Sequence, residues 1–257
     1  MKILILLSLL TSQICFGAVV TKEVEYKDGD KTFEGLLVRP DKVKGDLPVI
    51  VMIHNWKGVS DETKTQATRF AELGYLVFAA DIYGKGVRPQ DSKDAGQAAG
   101  IYKNNRALYR QRLNLGLQTA LAQPYADATR AAVVGYCFGG TGAIELARSG
   151  APLKAVVSFH GGLDSPTPAD GANIKAPVLA LQGADDPYVP AKDIAAFEAE
   201  MKSNHVQYRL IRYPHAVHSF TEKGAGNDNS KGAAYNESAD KRSFAEAKKF
   251  LAENLKK

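Results

Sequence analysis

The chain has 257 residues, 45% of them hydrophobic and 24% charged, which suits one α/β domain or two small ones with ample material for a core. Lysine and arginine number 33 against 28 acids, a formal charge of +5, one charge of which is Lys2. The remaining basic residues are interleaved with acids and form no basic stripe with aromatics, so nucleic-acid binding is not indicated.

Met1-Lys2 precedes the apolar run Ile3 to Leu10, and small residues Gly17 and Ala18 follow. A positive start, a short apolar stretch and small residues at a cleavage point predict a secretory signal peptide over 1–18. The run is too short for a membrane span, so no span is expected once it is removed. The expected location is therefore periplasmic or secreted. Cys15 leaves with the leader, and Cys137 is then a single thiol with no disulfide partner.

Thr21–Tyr26 and Thr32–Val38 alternate around Lys-Asp-Gly-Asp and predict an antiparallel hairpin. Val49–Ile53 is continuously apolar, as in a strand buried on both faces. His54-Asn55-Trp56 leaves its end. Ser60 is placed to cap a helix running to about Leu73, with Asp61 and Glu62 in its first turn and Gly74 closing it. Tyr75–Ala80 is another buried strand, and residues 81–88 form a glycine-containing loop. Residues 92–123 are mostly helical, in two pieces.

The strand Ala131–Val134 comes next, then Gly135-Tyr136-Cys137-Phe138-Gly139, then a helix over 141–149. Strand, tight glycine-flanked turn and helix form the setting of a nucleophile elbow, here with Cys where serine usually stands. A helix N-terminus favours a thiolate there. The motif alone could equally be a glycine-rich turn around an inert buried thiol. Further along, Leu153–Phe159 is a strand ending in His160, and 165–168 is a loop. Pro177–Gln182 is a strand followed by Asp185-Asp186-Pro187. Residues 191–203 are helical, Val206–Tyr213 is a strand before His215 and His218, and 239–254 is the closing helix. Alternating strands and helices predict an α/β fold with a mostly parallel central sheet covered by helices on both faces. No linker divides 19–257, which reads as a single domain.

Ligands in such sheets bind beyond the carboxyl ends of the strands. Cys137, Asp186 and His218 each follow a strand there, in the chain order nucleophile, acid, histidine of an α/β-hydrolase triad. A neutral thiol is a weak nucleophile. A histidine in reach can take its proton, and an acid can fix the imidazole tautomer. The N–H groups of Phe138 and Trp56 are the expected oxyanion donors. Asp185 competes for the acid role, but its spacing to Val189-Pro190 is the poorer one; it reads as a turn residue, His215 as a polar loop residue and His54 as structural. Tyr83 and Trp56 could wall a pocket or pack in the core. His160 could line it or satisfy a backbone carbonyl.

The chain resembles the dienelactone hydrolase family of α/β-hydrolases. The residues that carry the likeness are Gly135-Tyr136-Cys137-Phe138-Gly139-Gly140, Asp186-Pro187-Tyr188-Val189-Pro190, His218-Ser219-Phe220 and Ala234-Tyr235-Asn236-Glu237. The resemblance implies hydrolysis of a small ester or lactone through a thioester on Cys137, in a fold without a large cap. It also implies that Asn55 stands where the family has an assisting glutamate, and that Lys85 and Glu222 stand where it has arginines for a substrate carboxylate. Asn55, Tyr83, Lys85, His160 and Glu222 are therefore the expected substrate-binding set. Acyl transfer or thioesterase chemistry with the same triad is an alternative, as is a non-catalytic binding protein that retains the fold. No histidine stands at a metal-ligand spacing from cysteine or acids, so neither metal nor cofactor is expected. The sequence does not indicate an oligomeric state.

Overall fold

The computed structural model describes residues 18–256. The expected signal peptide falls almost entirely outside the described residues. Eight strands form one sheet in the order β1-β2-β4-β3-β5-β6-β7-β8. They are β1 (Val19–Asp28), β2 (Lys31–Pro40), β3 (Leu47–Ile53), β4 (Leu76–Ala80), β5 (Ala126–Tyr136), β6 (Ala155–Phe159), β7 (Val178–Gly183) and β8 (Tyr208–Tyr213). Only β2 runs against its neighbours; every other pairing is parallel. The mostly parallel sheet and the opening hairpin are thus as the sequence predicts. The hairpin turn is tighter than expected. Its loop is Gly29-Asp30, with Gly29 at φ 56°, the positive value that the first loop residue of a type II′ turn requires.

Among the described residues six α-helices flank the sheet: α1 (Asp61–Ala71), α2 (Ser92–Lys103), α3 (Arg106–Leu121), α4 (Phe138–Arg148), α5 (Ala191–Ser203) and α6 (Glu237–Asn254). The continuous apolar run of β3 is explained by two cores. Val49, Val51 and Ile53 face the layer of α2 to α5, and Ile50 and Met52 face α1 and α6. Burying a side chain of this size is worth about 1.5–3 kcal/mol, so neither face can be left to water. Ser60 caps α1 as expected, accepting from the Thr63 N–H at 3.5 Å.

Helix α4 begins at Phe138, directly after the cysteine and earlier than its glycines indicate. Those glycines are in the helix because of what they touch. A Cβ at Gly139 would strike the Ile53 and His54 carbonyls, and one at Gly142 would strike the Tyr109 ring. Helix α2 carries two interior glycines, Gly96 and Gly100, and each costs it about 1 kcal/mol relative to alanine.

Candidate active site

Strands β3, β5, β6, β7 and β8 run parallel, so the residues after each gather at one edge of the sheet. At its centre β5 delivers Cys137. A Cβ on Gly135 would collide with the Gly139 carbonyl, so the strand and the start of α4 approach backbone to backbone there. The turn forces Cys137 to φ 54° and ψ −116°, a strained conformation for a side chain-bearing residue. Its N–H donates to Phe159 O at 3.0 Å, and its side chain is partly exposed. Phe138, the first helical residue, has an N–H with no acceptor inside the helix.

The structure brings three of the expected side chains into line. His218 Nε2 lies 3.0 Å from Cys137 Sγ, and His218 Nδ1 lies 2.8 Å from Asp186 Oδ2. A carboxylate can only accept, so Nδ1 carries a proton and Nε2 is left to face the sulfur. The other Asp186 oxygen accepts from the Tyr188 N–H at 2.8 Å, which fixes the carboxylate. Asp185 is exposed, and its N–H donates to Ala216 O at 3.0 Å. His215 is exposed too, its carbonyl accepting from the side chains of Asn229 and Asn236. The backbone of His218 is held by the segment before α6: its N–H donates to Gly232 O and its carbonyl accepts from Ala234 N–H. Burial pulls the His218 pKa down, but the charge on Cys137 and the hydrogen bond to Asp186 outweigh it and hold the imidazole well above its ordinary range.

A cleft of about 630 Å³ opens over this line, with Trp56, Phe138, Tyr188 and Lys103 among its walls. The Trp56 peptide is fixed from behind. Tyr83 Oη donates to Trp56 O at 3.1 Å, and Asn55 Oδ1 accepts from the Lys57 N–H at 2.9 Å. His54 lies beneath. Its Nδ1–H donates to Asn55 O at 2.6 Å, and Nε2 accepts from the Ile82 N–H at 3.2 Å. Burial lowers its pKa to about 4, so the ring is neutral.

None of the five residues of the expected substrate-binding set is among those lining the cleft. Lys85 is held on the hairpin side by Glu25 and by Glu34 at 3.0 Å. Glu222 is buried with Asn55, Glu62, Gln66 and Tyr136 around a separate small cavity, where burial raises its carboxyl pKa. Tyr83 is a core residue that braces the Trp56 loop, and Asn55 braces the same loop. His160 is fully buried behind His218, ring centroids 5.2 Å apart, with Nε2 2.8 Å from Thr221 Oγ1. Burial first, and then His218, push its pKa well down. What the sequence reading missed is the wall made by α2, which puts Gly96, Ala99, Gly100 and Lys103 on the cleft. The two unexplained glycines inside a helix were the available signal.

The sequence profile of the dienelactone hydrolase family matches residues 33–255. The chain belongs to the dienelactone hydrolase family. A Yersinia pestis protein provisionally named a carboxymethylenebutenolidase is 29% identical over 196 residues, covering 72% of each chain. The solved structure of m3DLH is 36% identical with a TM-score of 0.90, covering 93% of this chain and all of that one. The crystal structure of P91, described as a dienelactone hydrolase-like promiscuous phosphotriesterase from metagenomic libraries, is 33% identical with a TM-score of 0.88, covering 93% and 100%. As a dienelactone hydrolase-family protein the chain is a carboxylic ester hydrolase with the α/β-hydrolase fold. Among its described residues no helix is long and apolar enough to cross a membrane, and no group of three or more His, Cys, Asp or Glu side chains is placed to hold a metal.

Proposed function

We propose that this dienelactone hydrolase-family enzyme cleaves small esters or lactones through a thioester on Cys137, with His218 moving the proton and Asp186 orienting the imidazole. The observation that carries the reading is the unbroken line from Cys137 Sγ through His218 to Asp186, 3.0 and 2.8 Å per step, opening to a cleft. The Cys137 thiolate, paired with His218 protonated on Nε2, attacks the carbonyl carbon. The tetrahedral oxyanion is stabilised by the N–H of Phe138 and the N–H of Trp56. The C–O bond then breaks, and the Nε2 proton leaves with the alcohol oxygen. Water adds to the thioester as His218 takes its proton, and the acid departs as the thiolate is restored. Lys103 is a cation on the cleft and no carboxylate is among the lining residues, which favours neutral or anionic esters over cationic ones. In the same reading the leader at 1–18 exports the enzyme to the periplasm or beyond, and cell fractionation with and without those residues tests that part.

The direct test is Cys137→Ala on p-nitrophenyl acetate, with intact-mass measurement of the wild-type protein during turnover. The variant is expected to lose at least about 10³-fold in kcat, and the wild type to carry an acyl group on Cys137. Turnover by the alanine variant at the wild-type rate would exclude cysteine catalysis.

A further inference from the structure

Gly96, Ala99 and Gly100 lie at i, i+3 and i+4, on one face of α2, and all three line the cleft above Cys137 and His218. Packing within the protein does not explain the two glycines. Neither has a positive φ, a Cβ on Gly96 would meet nothing within 4 Å, and one on Gly100 would meet only Asn104 Nδ2 at 4.0 Å. The contrast with other helical glycines is sharp. A Cβ at Gly116 in α3 would run into Ala80, and at Gly142 in α4 into Tyr109. Those glycines are required by a neighbour; Gly96 and Gly100 weaken their helix and leave space that opens into the cleft.

We propose that the Gly96–Ala99–Gly100 face of α2 is the steric selector of this enzyme, leaving room for a planar, ring-bearing apolar group on the ester or lactone. The inference rests on the ester-hydrolase reading above and adds the class of substrate. The bare backbone of two glycines is a flat surface. Trp56 and Tyr188 border the same cleft and supply aromatic faces and edges against which a ring packs. At about 630 Å³ the space is in the range that holds a ligand larger than a simple acetate.

The test sets Gly96→Leu, Gly100→Leu and the milder pair Gly96→Ala/Gly100→Ala against wild type on ethyl acetate, phenyl acetate and methyl phenylacetate, followed by acid release. Variant-to-wild-type ratios cancel the intrinsic reactivity of each ester. In the leucine variants, kcat/KM for at least one ring-bearing ester should fall about tenfold or more relative to ethyl acetate. The alanine pair should shift the same ratio in the same direction while raising Tm, because alanine is the better helix former. A uniform loss across the three esters, or no change in the ratio, overturns the selector. Should a leucine variant fail to fold, the alanine pair decides. A second readout needs no turnover: alkylation of Cys137 by N-ethylmaleimide and by N-benzylmaleimide. Filling the α2 face should slow the benzyl reagent selectively. Wild type inert toward every ester, with that selectivity present, would end the hydrolase reading and leave the selector standing. Normal ester turnover with unaltered selectivity in both assays would end the selector and leave the hydrolase.

Discussion

One imidazole stands between a sulfur and a carboxylate, and its protonation is set from both sides. Burial alone would drive His218 neutral; the charge on Cys137 and the Asp186 hydrogen bond reverse that and keep it protonated well beyond its ordinary 6.5. The sign for catalysis follows. The alkaline limb of kcat/KM reports loss of the His218 proton, so it should lie well above neutrality. Asp186→Asn removes a contribution that raises the pKa. It should move that limb to lower pH and lower kcat by about 10³–10⁴-fold through loss of the correct tautomer. A pH–rate profile of both proteins checks this; a limb that stays in place in the variant would mean that Asp186 does not hold the proton on His218. These three residues were legible because each follows a strand whose end is fixed by apolar patterning. The surroundings of Lys85 and Glu222 were not legible, for the opposite reason. Position along the chain does not reveal that Glu25 and Glu34 reach across from the hairpin to Lys85, nor that Glu222 turns inward toward Asn55.

Helix α4 starts directly after Cys137 and ends in a fully buried arginine. Arg148 binds Glu200 of α5 through both carboxylate oxygens, at 2.8 and 2.5 Å, and reaches Glu145 at 2.8 Å and Asp164 O at 3.2 Å. Removing one partner of such a network strands the other charges away from water, which costs about 3–5 kcal/mol. Arg148→Ala should therefore lower stability by that amount in urea titration. Arg148→Met/Glu200→Leu should lose less than the two single changes added together. Additive losses would show that the pair is not coupled. The helices and strands themselves were readable from periodicity and caps, but their ends shifted where tertiary contact decides. Strand β5 extends back to Ala126 through residues too polar to signal a strand, paired to β3 with a register shift at Pro48/Val49. Strand β8 begins at Tyr208, two residues later than its alternation indicates. The network around Arg148 was invisible, because its members are scattered along the chain and each looks like a solvated surface charge.

For the molecule as a whole, the parallel direction of the sheet follows from alternation of strand and helix, and the reversed strand follows from the hairpin; the strand order, with β4 between β2 and β3, does not. How deep polar residues would sit does not follow. His54 and His160 are both fully enclosed, the first pinned between Asn55 O and the Ile82 N–H. That placement links stability to pH. The folded protein holds His54 neutral down to about 4, whereas the unfolded chain protonates it near 6.5. Between those values the unfolded state binds more protons, so stability falls as pH falls through that window. His160, also held neutral by burial, acts in the same direction; Glu222, with its raised carboxyl pKa, opposes them. His218 acts outside the window, because its raised pKa contributes stability that is lost only as pH rises above its ordinary value. At one pH-dependent proton and about 1.4 kcal/mol per unit, His54 alone should cost about 2 kcal/mol between about pH 6.5 and about pH 5. Urea unfolding of wild type and His54→Gln at about pH 7 and about pH 5 isolates that share. The variant should start less stable, having lost the imidazole that fits between two backbone groups, yet its stability should drop less on acidification. An equal drop in both proteins would place the acid sensitivity elsewhere, and His54 would then be no more than a packing residue beneath the Trp56 loop.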